Sequence, residues 1–273
     1  MVVVGRGSAY NAGESQMIAE KPTPILEITG VRFKKIVTDN NLLNANVTVL
    51  AKPLTPEEAI GTPGRRDFPI IIGKERILEA TFLNAKGHAF TDAAREFVGT
   101  LAEVIDLALT SNQTRAIYVA TLNAVLSHLG LVKATVHCKD EDPEICGAEI
   151  ARHILDLHGK VVVGLIGLNP AIGDHLVRVF GADHILISDL YRDNIGRRRF
   201  GVEVWDGASQ TADLVEKSDV VLMTGTTLQN GTFDDIWAAI KAKGKHGIVY
   251  GVTAAGVCAL TGIERICPCG RES

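Results

Sequence analysis

The stretch that decides the fold is Asp219-Val-Val-Leu-Met-Thr-Gly-Thr-Thr-Leu-Gln-Asn-Gly-Thr232. Its apolar run ends abruptly in threonines, glycines and amide side chains, and a helical pattern follows at once. The core of a strand tolerates so many hydroxyls only at its exposed C-terminal end. In an open α/β sheet that end is where ligands bind. The stretch therefore predicts a buried strand whose C-terminal end faces a ligand site.

The sequence around this stretch has the alternating pattern of strands and helices that is typical of a doubly wound sheet. We expect strands at 160–167, 184–190, 202–205, 219–223 and 246–252, with helices between them at 171–180, 209–217 and 233–243. Strands that are apolar throughout and alternate with helices are typical of a parallel sheet covered on both faces. The sequence therefore predicts a Rossmann-like α/β domain over residues 159–273.

The first half of the chain has a different order of predicted strands and helices. Short β-branched segments predict strands at 25–37, 45–50, 70–72 and 77–83, and a hairpin turn at 84–87. Helices are expected from Thr91 to about 108, from 114 to 129, and from Asp142, with Ile150, Ile154 and Leu157 directed inward. Strands followed by helices indicate an α+β domain over 25–158. Residues 1–24 read as a loosely ordered lead-in.

Composition limits the classes of function. The 273 residues carry a net charge of −4 with a pI near 6.1, which implies no general affinity for nucleic acid or for a membrane surface. No apolar run approaches the roughly 18 residues of a membrane span, and we expect a cytoplasmic protein. Its five cysteines, an odd number, favour reduced thiols over a disulfide framework.

Several polar residues are expected to share one crevice at the strand ends. They are Asn169, Asp189, Thr224, Gly225, Thr226, Thr227, Asn230 and Thr253, and the amide of Asn123 on an apolar helix can either reach the same cleft or bridge backbone groups. A plainer interpretation remains open, in which Asn169 caps a helix and the threonines satisfy their own turn. Asp189 stands where a ribose-binding acid would, but the glycine spacing at 164–173 does not match a dinucleotide loop.

A second group of residues has the chemistry of metal ligands. His137, Cys138 and Cys146 surround an acidic segment, and we expect the first helical turn at Cys146 to favour a thiolate. The spacing matches no zinc motif, so a solvated acidic loop is the alternative. Cys267 and Cys269 could add ligands only if the tail folds back. His88, just after the hairpin turn, is expected at the surface.

The threonine-rich stretch resembles a family signature. Ser218-Asp-Val-Val-Leu-Met-Thr-Gly-Thr-Thr-Leu-Gln-Asn-Gly-Thr232 is similar to the D-V-V-x-x-T-G-T-T-L-x-N-G-T pattern of the "putative heavy-metal chelation" family, and residues 164–171 and Asp189 resemble its first two strand ends. The resemblance implies an enolase-N-terminal-like α+β domain before a Rossmann-like domain. It also implies the handling of metal ions or metal chelates in the cleft between them.

Three hypotheses follow from these patterns. The first is the binding or processing of a metal ion or metal-chelate small molecule in the cleft, with zinc, iron or nickel suited to thiolate and imidazole donors. The second is a Rossmann-type enzyme that uses a nucleotide or an S-adenosylmethionine-like cofactor. The third is an oligomeric interaction module, and a homo-oligomer is compatible with each. No residue pair presents itself as an acid–base couple.

Overall fold

A computed structural model describes residues 24–47 and 54–272. The expected lead-in at 1–24 lies outside the described residues, apart from Pro24. The chain forms a mixed α/β structure around a mostly parallel sheet of seven strands, as the sequence predicts. Within the described residues, no helix is both long and apolar enough to cross a membrane.

The N-terminal half contains two small antiparallel pairs of strands and several helices. In chain order the elements are α1 (Pro24–Asp39), β1 (Asn46–Val47), α2 (Pro56–Ile60), β2 (Arg76–Phe82), β3 (Ala85–Thr91), β4 (Gly99–Thr100), α3 (Leu101–Ile105), α4 (Asn112–His128) and α5 (Asp142–His158). Strand β1 pairs with β4, and β2 pairs with β3. The expected hairpin is present, with its turn at Leu83 and Asn84 rather than at 84–87, and the two longer helices α4 and α5 are confirmed.

Several expectations for this half are wrong. Residues 25–37 form helix α1, because the buried side chains Leu26, Thr29, Phe33 and Val37 recur at helical spacing, a period that the β-branched content of the segment conceals. Residues 70–72 lie in turns. Of the strand expected at 45–50, residues 46 and 47 are in β1 and 48–50 lie outside the described residues.

The helix expected from Thr91 is also displaced. Thr91 pairs with Arg76 as the last residue of β3, so it cannot cap a helix. The short helix α3 begins only after Thr100, whose hydroxyl accepts a hydrogen bond from the N–H of Glu103. In α5, Ile150 and Ile154 are buried as expected, but the Leu157 side chain is 61% exposed.

The C-terminal half supplies the sheet. Its elements are β5 (Val163–Ile166), α6 (Pro170–Phe180), a 3₁₀ turn (Ala182–His184), β6 (Ile185–Asp189), β7 (Arg198–Arg199), β8 (Val202–Asp206), α7 (Thr211–Lys217), β9 (Val220–Thr224), α8 (Thr227–Asn230), α9 (Phe233–Ala242), β10 (His246–Tyr250), α10 (Ala255–Thr261) and β11 (Arg265–Ile266). All five strands expected here are present, and the three expected helices correspond to α6, α7 and α9.

The strand order places a crossover at the centre of the sheet. The order is β11-β10-β9-β5-β6-β8-β7, with β7 antiparallel to β8 and the others parallel. Counted along the chain, the six parallel strands therefore run 3-2-1-4-5-6, the order found in Rossmann-type sheets. The chain leaves β5 and β9 toward opposite sides, which opens a crevice beyond their carboxyl ends.

Both faces of the sheet are covered. Val220 and Leu222 of β9 pack in one core cluster with Ile150 and Ile154 of α5 and with α6. Val221 and Met223, on the opposite face, pack in a second cluster with α4, α7 and α9. This alternation follows from the period of two along a strand. The domain boundary near residues 158–160 stays a prediction, although the buried side of α5 belongs to the core of the sheet.

Candidate functional site

A cavity of about 930 Å³ lies at the crossover of the sheet. One wall, which we call the sheet wall, consists of the segments that follow β5, β6, β8, β9 and β10. The opposite wall, the N-terminal wall, is built by residues before β5 together with Cys267 of the tail. A volume of this size suits a small organic molecule.

The cavity brings together nearly all the residues that the sequence singles out. Its lining includes Asn169, Asp189, Thr224, Gly225, Thr226, Thr227, Asn230 and Thr253 on the sheet wall, and His137, Cys138 and Cys146 on the N-terminal wall. Asn123 is absent from this lining. That these residues bind a ligand stays a prediction.

Asn169 and Asp189 each have structural partners within the protein. The Asn169 side chain caps α6 by accepting hydrogen bonds from the N–H groups of Ala171 and Ile172, as the plainer interpretation predicts. The Asp189 carboxylate accepts hydrogen bonds from the N–H of Leu168 and Tyr191, from Asn194 and, at 2.9 Å, from Nζ of Lys74. Both oxygens of Asp189 therefore help to hold the sheet edge in place.

The threonine hydroxyls are also largely engaged with their own turn. The hydroxyl of Thr226 donates to that of Thr224 at 3.1 Å, and the hydroxyl of Thr227 donates to the carbonyl of Thr224 at 2.7 Å. Thr253 accepts a hydrogen bond from the N–H of Phe90 and so ties β3 to the end of β10. These contacts fix the shape of the sheet wall before any ligand arrives.

Gly167 allows the first loop to lie against β9. Its φ of 81° is in the left-handed region, and a Cβ atom there would lie 2.5 Å from a methyl carbon of Thr224. A side chain at this position would therefore push apart the two segments that flank the crossover.

Asn123 lies behind the sheet wall rather than in the cavity. Its amide nitrogen donates to the carbonyls of His88, Val252 and Thr253, and its oxygen accepts a hydrogen bond from the N–H of Gly256. The assignment of Asn123 as a ligand-binding residue is therefore corrected, because all the polar positions of its amide are used to bridge backbone groups.

Sequence reasoning missed two residues of the N-terminal wall. Lys74 pairs with Asp189, and its ammonium lies 4.5 Å from the centre of the Tyr191 ring. Burial raises the pKa of its neighbour Glu75 to about 7, and Asp189 and Asp92 add to the increase against the opposing charge of Lys74. In the sequence both residues look like an ordinary charged turn, so no local signal could have identified them.

His137 of this wall is partly buried, and its backbone contacts the buried His88, which is not part of the cavity lining. His137 lines the cavity, and burial, with a smaller contribution from His88, lowers its pKa to about 4. Its imidazole is therefore neutral at pH 7. His88 is buried, contrary to expectation: its Nε2 lies 2.9 Å from the Glu79 carboxylate, and its Nδ1 accepts a hydrogen bond from the N–H of His137. The β2–β3 hairpin turns this side chain inward.

The tail folds back and changes the setting of the thiols. Arg271 pairs with Val136, and its guanidinium meets Asp142 at 2.7 Å, so Cys267 reaches the cavity beside Cys146. A hydrogen bond to Cys267 and burial raise the pKa of Cys146, and the same hydrogen bond lowers the pKa of Cys267. Both contacts act against the thiolate that the sequence predicts at Cys146. Burial also raises the pKa of Cys138.

The donors do not form a preassembled coordination sphere. Over residues 24–47 and 54–272, no group of three or more histidine, cysteine, aspartate or glutamate side chains is placed so that it could hold a metal ion. The soft donors of the N-terminal wall are instead distributed along a large cavity.

The comparisons identify a family for the C-terminal region. Residues 152–264 match DUF364, a family described as "Putative heavy-metal chelation". The resemblance drawn from the threonine-rich stretch is thus confirmed over these residues. A search of curated proteins finds no match.

Two solved structures of DUF364 proteins, both described as having unknown function, are similar to the chain. One, from Pyrococcus horikoshii, is 14% identical, with a TM-score of 0.47, and the similarity covers 84% of this chain and 79% of that protein. The other, from Desulfitobacterium hafniense, is 11% identical, with a TM-score of 0.45, over 69% of this chain and 72% of that protein.

Proposed function

We propose that the cavity binds a small molecule that carries a metal ion, a metal chelate. The observation that supports this most is the composition of the N-terminal wall, where an imidazole and thiols face the same space as the polar strand ends. The family description points in the same direction. The metal is cargo here, bound together with its organic ligand.

The size of the cavity favours a chelate over a bare ion. About 930 Å³ is far more space than one ion fills, and it lies within the range of small-molecule sites. Apolar side chains such as Phe68, Ile70 and Ile172 share the lining with the polar groups and can contact the organic part of the ligand.

The available donors suit zinc, iron or nickel. His137 is neutral at pH 7 and can donate a lone pair without first losing a proton. Cys138 and Cys146 are protonated in the free protein, since their pKa values are raised. A metal that binds these sulfurs must displace protons, so we expect binding to strengthen with increasing pH.

The first experiment is native mass spectrometry of the untagged full chain with elemental analysis of the same sample. We expect a metal accompanied by an organic mass. Zinc(II) citrate, zinc(II) alone and metal-free citrate would then be titrated separately by calorimetry. The double variant Cys138→Ala/Cys146→Ala should weaken binding of zinc(II) citrate by roughly tenfold or more.

Cys258→Ala provides a matched control, because Cys258 is a buried thiol of the other core cluster. It should leave the affinity unchanged. The proposal fails if the isolated protein carries no metal, the three titrations give no heat of binding, and the double variant behaves like the wild type.

A further inference from the structure

The turn that leads into β2 separates part of the cavity from solvent. Residues 68–75, which we call the flap, contribute to the cavity lining Phe68, Pro69, Ile70, Lys74 and Glu75. On the outer side of the same turn, Ile72 is 50% exposed. The flap is therefore a single layer of chain with the cavity on one side and solvent on the other.

The base of the flap is packed mainly on the N-terminal half. Phe68 and Ile70 are buried in an apolar cluster with Ile60 of α2 and Ile77 of β2, and this cluster also reaches Ala171 of α6. Strand β2 begins directly after the flap and is held by its pairing with β3. The base is thus fixed by the hydrophobic core and by the hairpin.

The tip of the flap is held chiefly by its own turn. The N–H of Ile72 donates to the carbonyl of Phe68 at 3.1 Å, and the N–H of Lys74 donates to the carbonyl of Pro69 at 2.9 Å. Gly73 has a φ of 77°, and a Cβ atom there would have none of the described neighbours within 4 Å. The tip can therefore move without breaking hydrogen bonds to the rest of the backbone.

A small cavity lies between the flap and the edge of the sheet. Its volume is about 90 Å³, and its lining joins Pro69 and Ile72 of the flap to Leu168 and Phe200 of the C-terminal half. Atoms that line an empty space lack packing partners on that side. Moving the tip away from the C-terminal half therefore breaks few apolar contacts.

Lys74 connects the tip of the flap to the C-terminal half. Its Nζ lies 2.9 Å from the carboxylate of Asp189 at the end of β6, and 4.5 Å from the centre of the Tyr191 ring. Asp189 belongs to the sheet wall, so this ion pair joins the two walls of the cavity. The two side chains are 20% and 5% exposed, which limits the screening of their charges by solvent.

We propose that the flap controls entry to the cavity and that the ion pair between Lys74 and Asp189 holds it closed. When the pair breaks, the tip moves away from the end of β6 and a small molecule can enter between them. Asp189 keeps its hydrogen bonds from Leu168, Tyr191 and Asn194, so the sheet wall does not change. The proposal requires neither a metal nor a chelate, so it stands or fails separately from the proposed function.

The first test is hydrogen–deuterium exchange of the full chain, read by mass spectrometry of its peptides. Lys74→Met removes the charge and keeps an unbranched side chain. We expect the amides of the flap to exchange about fivefold faster in this variant, as for the loss of one partly buried ion pair. Exchange in β5 and β9 should equal that of the wild type, because the opening is local.

Lys86→Met is the matched control. Lys86 forms an ion pair of similar length with Glu79, at 2.8 Å on the β2–β3 hairpin, but it does not belong to the cavity lining. Its loss should leave the exchange of the flap unchanged. Raising the salt concentration from about 0.05 to about 0.5 M should speed exchange of the flap in the wild type more than in Lys74→Met.

Alkylation of a cavity thiol measures whether the opening admits a small molecule. Cys146 lines the cavity, whereas Cys258 is buried and outside the lining. With N-ethylmaleimide as the probe, Cys146 should react about fivefold faster in Lys74→Met than in the wild type or in Lys86→Met. The reaction of Cys258 should not change.

Two results would overturn the proposal. One is exchange of the flap in Lys74→Met that equals the wild type, or that rises together with exchange in β5 and β9. The ion pair would then not hold the flap, or its loss would destabilise the whole fold. The other is faster exchange of the flap with unchanged alkylation of Cys146, which would mean that the flap moves without opening the cavity.

Discussion

The two walls of the cavity use their polar groups in opposite ways. On the sheet wall, Asp189 and the threonines already bond to the protein around them, so their density reflects how the strand ends are held. On the N-terminal wall, Glu75, His137 and Cys146 have pKa values shifted chiefly by burial or by a hydrogen bond. A polar sequence pattern thus located the strand ends that line the cavity, whereas shifted pKa values mark the groups that are candidates for chemistry.

If the two walls differ in this way, the largest loss of stability should follow from a substitution of Asn123, which holds the sheet wall in place. Asn123→Ala removes the bridge to three carbonyls and one N–H, and it leaves these buried groups without their partner. We expect a loss of about 4 kcal/mol in the free energy of unfolding. Urea denaturation measures it, with Gln113→Ala at the half-exposed start of the same helix as control. A loss similar to that of the control would contradict the bridging role.

A smaller effect is expected at Asp189. Asp189→Ala deletes the acceptor for Lys74, Asn194 and two backbone N–H groups, and we expect a loss of about 3 kcal/mol in the free energy of unfolding. Lys74→Ala removes one of these contacts, from a side chain that is 20% exposed, and should cost about 1 kcal/mol. Equal losses in the two variants would mean that the ion pair alone accounts for the role of Asp189.

A substitution in the N-terminal wall should change the free energy of unfolding in the opposite direction, because it removes a buried charge. The pKa of Glu75 is raised from 4.5 to about 7, so between these values the folded protein binds more protons than the unfolded chain. Its stability therefore falls as the pH rises through this window. Glu75→Gln does not titrate and should be more stable than the wild type above pH 7 by up to about 3 kcal/mol. Thermal unfolding across the pH range measures the difference.

Glu79 provides the matched comparison on the same hairpin. The hydrogen bond from His88 is the main reason that the pKa of Glu79 falls from 4.5 to about 2. Its contribution to stability is present above about pH 4.5 and is lost as the pH falls toward 2. Glu79→Gln should therefore be less stable than the wild type at neutral pH. If both variants shifted stability in the same direction, the two carboxyl groups would not differ as described.

Much of the C-terminal half could be predicted from the sequence. Strands β5, β8, β9 and β10 are short runs rich in apolar residues that end at a glycine, and Asn169 and Pro170 mark the start of a helix by local rules. Because ligands meet open sheets at the carboxyl ends of their strands, the threonine-rich stretch also located one wall of the cavity. These features depend on residues near one another in the chain.

The N-terminal half was harder to predict because its structure depends on contacts between residues that are not neighbours in the sequence. Helix α1 buries Phe33 against Tyr118 of α4, with ring centres 5.9 Å apart, and this packing overrides the strand preference of its β-branched residues. His88 is drawn inward by Glu79 and by the backbone of His137. Tyr118 and His137 are far from these residues in the sequence, and Glu79 meets His88 only because the hairpin pairs the two strands.

The sequence alone determined the parallel sheet, the position of its polar edge and the family to which residues 152–264 are matched. Periodicity and capping depend on residues that are close in the sequence, so they can be recognised without knowledge of the fold. Only the tertiary structure decided which polar groups are already bonded, which carboxyl group has its pKa raised, and that Cys267 lines the same cavity as Cys146. Burial and electrostatic interactions depend on distances between residues that are far apart in the sequence. Only the folded chain sets those distances.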